Sequence, residues 1–144
     1  MQRIGIIGAG QMGSGIAHVC AVAGLDVRML DVQPDQLEKS LNGIRANMMR
    51  QVSRGKIPEE QVTAALARVS TGTDYAELAD CDLVIEAATE NEDIKREIFK
   101  TLVPHLDNHT LLATNTSSIS ITRLAANTDR PEKFMGMHFM NPVP

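Results

Sequence analysis

Arg3-Ile4-Gly5-Ile6-Ile7-Gly8-Ala9-Gly10-Gln11-Met12-Gly13-Ser14-Gly15-Ile16-Ala17 is the stretch whose reading decides the fold. Its first five residues are short, apolar and stopped by Gly8, the pattern of a strand buried on both faces. From Gln11 to Ala23 the residues Met12, Ile16, Val19, Cys20 and Ala23 form a helical apolar stripe, and Gly24 follows as a C-terminal stop. Asp26–Leu30 reads as a second strand. Strand, helix and strand within the first 31 residues make a βαβ unit, whose crossover is right-handed and covers one sheet face.

Gly8, Gly10 and Gly13 form G-x-G-x-x-G, a motif that is common by itself but here lies between a strand and a helix. Gly8 allows the tight turn, Gly10 lets the backbone approach a pyrophosphate, and Gly13 lets helix and strand pack closely. The helix N-terminus offers free N–H groups and partial positive charge to phosphate. Gly8, Ala9, Gly10, Gln11, Met12 and Gly13 are therefore candidate nucleotide contacts through their backbone, while the Met12 side chain fits packing. Asp31 ends the second strand, 18 residues after Gly13. An acid there can hydrogen-bond both ribose hydroxyls and would repel a 2′-phosphate, so NAD is expected over NADP. An N-cap role for the next helix remains open beside it.

Beyond this unit, Pro34–Val52 and Pro58–Arg68 read as helices joined by Ser53-Arg54-Gly55-Lys56, a helical hairpin inserted after the second strand. Val69–Thr73, Leu83–Ala87, Thr110–Thr114 and Lys133–His138 read as strands, with helices at Glu92–Leu102 and Ile119–Ala125. The alternation predicts an α/β fold with a doubly wound parallel sheet of Rossmann type, whose ligands sit at the carboxyl ends of the strands. Two further groups fall at that edge. Thr114-Asn115-Thr116-Ser117-Ser118 follows the fifth strand and could bind ligand or cap the next helix. His138 stands at the tip of the sixth strand, where a histidine can act as general base; a packing or surface histidine is the alternative.

Composition excludes several classes. At 144 residues, 43% apolar and 22% charged, the chain suits one globular domain. A net charge of −4 with interspersed signs, and no basic patch with aromatics, argues against nucleic acid. Cys20 and Cys81, 61 residues apart, fit two buried thiols and neither a metal site nor a disulfide framework. No signal-like or membrane-spanning run is present, which leads to an expected cytoplasmic location, with a mitochondrial matrix form as the alternative if a transit peptide was removed, and no membrane partner.

The ensemble of motifs resembles the 3-hydroxyacyl-CoA dehydrogenase family over the whole chain. The shared residues are the glycine loop, the hairpin, Val84-Ile85-Glu86-Ala87 with Glu90-Asn91, Asn115-Thr116-Ser117-Ser118 and His138-Phe139-Met140-Asn141-Pro142-Val143-Pro144. The pair of motifs separated by the 21 residues from Ser117 to His138 is the specific part. The resemblance implies an NAD cofactor and an acyl-CoA substrate. It implies that His138 takes the proton of the substrate 3-hydroxyl, that Ser117 binds that hydroxyl near the nicotinamide, and that Asn141 lies close to the nicotinamide. Glu90 and Lys95 match residues that contact NAD, and Arg54 and Asn47 match residues that contact CoA. The family also carries a glutamate about a dozen residues after the histidine, which orients it as the third member of a triad does, and a C-terminal helical domain that forms a homodimer. Neither lies within residues 1–144. The expectation is thus one NAD-binding domain of an L-3-hydroxyacyl-CoA dehydrogenase. A binding module without turnover, or a dehydrogenase of a non-CoA hydroxy or sugar acid, are the alternatives.

Overall fold

A computed structural model describes residues 1–116, 119–126 and 128–139. Six strands, β1 (Arg3–Ile7), β2 (Asp26–Leu30), β3 (Val69–Gly72), β4 (Leu83–Glu86), β5 (Leu111–Asn115) and β6 (Phe134–Met137), form one sheet in the order β3-β2-β1-β4-β5-β6. Every pairing is parallel. The helices are α1 (Gln11–Val22), α2 (Pro34–Ser53), α3 (Glu59–Ala67), α4 (Glu92–Leu102) and α5 (Ile121–Ala125). This is the doubly wound arrangement, and the order reverses direction between β1 and β4.

Alternation along the strands supplies two cores. Ile4, Ile6, Val27, Met29 and Ile85 face α1, α2 and α3, meeting Ile16, Ala17, Ile44, Met48 and Val62. Ile7, Leu30, Val84 and Leu112 point the other way, to Phe99 and Leu102 of α4 and to Leu78. Phe99 meets Phe134 edge-on, with ring centroids 5.0 Å apart. The inserted hairpin therefore does the covering work of one ordinary crossover helix.

Register sets where the strands deliver their ligands. Ile7 lies level with both Leu30 and Glu86. Gly8, Asp31 and Ala87 consequently leave the sheet side by side: Gly8 N donates to Leu30 O at 2.8 Å and Ala87 N to Ile7 O at 2.8 Å.

Small departures from the sequence reading have local causes. The last helix starts at Ile121 rather than Ile119, because Ser120 Oγ accepts from Arg123 N at 3.2 Å and caps it. The preceding turn belongs to Thr116, whose hydroxyl accepts from Ile119 N at 3.2 Å. Pro58 is the N-cap of α3, with extended ψ of 151°, rather than its first helical residue. Among the described residues, no helix is long and apolar enough to cross a membrane.

Candidate active site

The three glycines of the loop differ in what holds them. Gly8 has φ of 106°, and a Cβ on it would come 2.7 Å from Ala88 Cα. A Cβ on Gly13 would lie 1.8 Å from the Gly8 carbonyl oxygen, so the start of α1 and the end of β1 touch backbone to backbone. Gly10 is different: a Cβ there would meet nothing within 4 Å. It is also the N-cap of α1, giving no side-chain cap, and no acid stands in the first turn. The result is an open cradle at the positive end of a helix, which fits the pyrophosphate of a dinucleotide.

Asp31 sits beside that cradle. Its Oδ2 accepts from Ala9 N at 2.9 Å and its Oδ1 from Gln33 N at 3.0 Å. It does not cap α2, whose N-cap is Gln33. The carboxylate is fixed by these two N–H donors at the carboxyl end of β2, the place a ribose diol requires.

On the other side of the loop, Gly10, Gln11, Met12, Ala87, Glu90 and Asn115 line a crevice of about 270 Å³ at the switch point between β1 and β4. Glu90 is exposed there and its Oε2 accepts from Thr116 Oγ1 at 2.9 Å. Lys95 lies deeper than a cofactor contact would suggest. Its side chain is fully buried and ion-paired with the equally buried Glu86. It also donates to Thr114 Oγ1 at 3.0 Å and to Asn115 O at 3.2 Å. The three donors of the ammonium thus go to protein partners, and Lys95 supports the crevice floor from below.

His138 follows β6 directly, exposed, at the same sheet edge. The ends of β5 and β6 are stitched around it: Phe139 N donates to Asn115 Oδ1 at 3.2 Å, and Thr116 N to Met137 O at 3.3 Å. Ser117 and Asn141 lie outside the described residues. Glu86 and Gln36 are the residues that sequence reasoning missed, while Asn115 comes from the group after the fifth strand already expected at this edge. Only Glu86 carries a signal there, a charge ending the apolar run Leu83-Val84-Ile85.

A second, larger groove of about 680 Å³ runs between α1 and α2. It begins at Ala9 and Gly10 and reaches Asn47 and Arg54 at the hairpin, bringing those two predicted residues together. Lys39, Arg50, Arg54 and Lys56 line it with no carboxylate among the lining residues. A groove of one sign focuses potential and suits a polyanion. Its wall includes His18, buried, with Nε2 against Gln51 Oε1 at 3.0 Å and no partner for Nδ1. Burial pushes the His18 pKa down.

Both cysteines are free; burial raises the Cys81 thiol to about 11, so it is an inert thiol of the core. Among the described residues no cluster of His, Cys, Asp and Glu could hold a metal ion.

Comparison with known proteins gives the family and supports the fold. A model of the family described as "3-hydroxyacyl-CoA dehydrogenase, NAD binding domain" matches residues 3–144. A 3-hydroxybutyryl-CoA dehydrogenase of Bradyrhizobium diazoefficiens is 54% identical over 144 residues, covering 100% of this chain and 49% of that protein. The crystal structure of (S)-3-hydroxybutyryl-CoA dehydrogenase from Ralstonia eutropha superposes with a TM-score of 0.97 at 45% identity, covering 100% of this chain and 51% of that one. An NAD+-dependent dehydrogenase of 5-formyl-3-hydroxy-2-methylpyridine 4-carboxylic acid superposes with a TM-score of 0.86 at 33% identity, over 99% of this chain and 46% of that one. The chain spans about half the length of such curated relatives.

Proposed function

The chain belongs to the 3-hydroxyacyl-CoA dehydrogenase family as its NAD binding domain, and from that premise we propose that it is the nucleotide-binding half of an NAD-dependent L-3-hydroxyacyl-CoA dehydrogenase. The observation that carries the reading is the convergence at one sheet edge of the open Gly10 cradle, the Asp31 carboxylate and the exposed His138. The cradle would hold the pyrophosphate and Asp31 the adenosine ribose. The crevice lined by Ala87, Glu90 and Asn115 would take the nicotinamide end. NAD supplies, when bound, the hydride acceptor.

The residues of the chain supply the rest. His138 receives the proton of the substrate 3-hydroxyl, which must leave as the carbinol is oxidised. On the family resemblance, Ser117 would hydrogen-bond the same oxygen and Asn141 would serve the nicotinamide end. The cationic groove between α1 and α2 receives the phosphates of the CoA, with Arg54 and Asn47 at the hairpin. A 3-hydroxybutyryl-CoA-sized substrate is supported by the names of the relatives above. The complete protein is a homodimer in this reading, as the family resemblance implies.

The test is NADH-dependent reduction of acetoacetyl-CoA, assayed on this chain and on the chain extended to the length of its relatives. We expect turnover in the long form, and a loss of at least about a hundredfold on His138→Gln with NADH affinity spared. Near-wild-type turnover by that variant would remove His138 as the base. Equal activity of the short and long forms would show that this half suffices. Failure on every acyl-CoA together with turnover of a free hydroxy or sugar acid would move the substrate to a non-CoA acid.

A further inference from the structure

Ala9 is 1% exposed and is gripped at both its backbone polar groups. Its N–H donates to Asp31 Oδ2 at 2.9 Å. Its carbonyl accepts from Gln36 Nε2 at 3.0 Å and from Ser14 Oγ at 3.3 Å. Asp31 and Ser14 belong to the βαβ unit that carries the loop. Gln36 does not: it stands in the first turn of α2, the opening helix of the inserted hairpin. A second link runs alongside, where Ser14 Oγ meets Ser40 Oγ of α2 at 2.5 Å.

A peptide group is planar and trans, so its N–H points opposite to its C=O. Holding the Ala9 oxygen toward α2 therefore turns the Gly10 N–H away from α2, at the residue where the cradle is open. We propose that Gln36 is a positioning residue for the dinucleotide, setting the Ala9–Gly10 peptide so that the cradle is formed before the ligand arrives. Preorganisation of this kind strengthens binding because ordering need not be supplied on association. The inference rests on the NAD reading above and deepens it: the hairpin, which offers Asn47 and Arg54 to the CoA groove, also completes the nucleotide loop.

The experiment is fluorescence titration of NADH into the 144-residue chain, comparing wild type, Gln36→Met and Gln36→Glu. Met matches the length of Gln without a donor. Its dissociation constant should rise on the order of threefold to tenfold, the worth of one hydrogen bond, at both pH values tested. Glu behaves differently because only its protonated form can donate to the Ala9 carbonyl. At about pH 8 its carboxylate faces a carbonyl oxygen, and binding should be weaker than in Gln36→Met. At about pH 5, near the range where such a carboxyl protonates, NADH affinity should recover to within about twofold of wild type measured at the same pH. General disruption of the fold would weaken both variants alike and give no recovery. Wild-type affinity in Gln36→Met, or a pH-independent Gln36→Glu, would overturn the role of Gln36 while leaving the NAD reading standing. Absence of NADH binding by the wild type would remove that reading and this one with it.

Discussion

Replacing Lys95 by Met tests the support beneath the crevice. Both side chains of the Glu86–Lys95 pair are fully buried, Glu86 at the end of β4 and Lys95 one turn into α4. Removing the ammonium strands a carboxylate in the core, and breaking a buried pair in this way costs about 3–5 kcal/mol. Glu86 keeps two donors, Thr114 Oγ1 at 2.6 Å and Ala88 N at 2.8 Å. That places the expectation near the lower bound, about 3 kcal/mol, against a total of about 5–15 kcal/mol for a domain. With a urea slope of about 2 kcal/mol/M, the unfolding midpoint should drop by about 1.5 M. The double variant Glu86→Gln, Lys95→Met removes both charges, and such neutral replacements are often harmless; it should return to within about 1 kcal/mol of wild type. Urea denaturation followed by circular dichroism gives all four corners of the cycle. A single variant within about 1 kcal/mol of wild type, or a double variant no better than the single, would refute the claim that Lys95 acts here as a counter-ion to Glu86.

Three other outcomes are expected. Asp31→Ala should weaken NADH binding about tenfold to a hundredfold, the worth of one or more bonds to an ionised group, and narrow the preference over NADPH in fluorescence titrations; an unchanged preference would sink the ribose role. Gly10→Ala and Gly13→Ala should separate binding from folding: the first fills open space and loses NADH affinity at nearly wild-type melting temperature, while the second drives a Cβ to 1.8 Å from backbone and costs about 3 kcal/mol. Equal melting temperatures for the two would contradict the packing described. His18 has its pKa lowered by burial, so the folded state binds fewer protons than the unfolded one. Its contribution to stability is complete above the unfolded value of about 6.5 and is lost as pH falls from there through the lowered folded value. His18→Gln should therefore flatten the decline of stability between about pH 7 and pH 5, measured by urea midpoints; parallel slopes would exclude His18 as its source.

Local features were readable along the chain because each acts within a few residues of itself. The apolar run Ile4–Ile7, the glycine spacing and the stop at Gly24 all encode backbone geometry directly. The ends of elements were less so: Ser120 won the cap of α5, and Pro58 fell just outside α3, choices between neighbouring donors that periodicity does not resolve. Lys95 shows the harder case. The family resemblance matched it to a cofactor contact, yet its depth depends on α4 docking onto the sheet beside β4, and only that docking brings its ammonium to Glu86.

By itself, then, the sequence determined a βαβ unit with a dinucleotide loop, an acid at the end of β2 and a histidine at the end of β6. Period, glycine and strand-end position are one-dimensional properties, so they survive without coordinates. Tertiary structure alone decided which of these groups meet. Ala9 is held by Asp31 from 22 residues away and by Gln36 from 27 residues away, and Asn115 reaches the backbone beside His138 across 24 residues. Hydrogen bonds are short-ranged and directional. Which donor finds which acceptor is therefore set by the register of a folded sheet and the seating of an inserted hairpin, and neither is written in the spacing of residues.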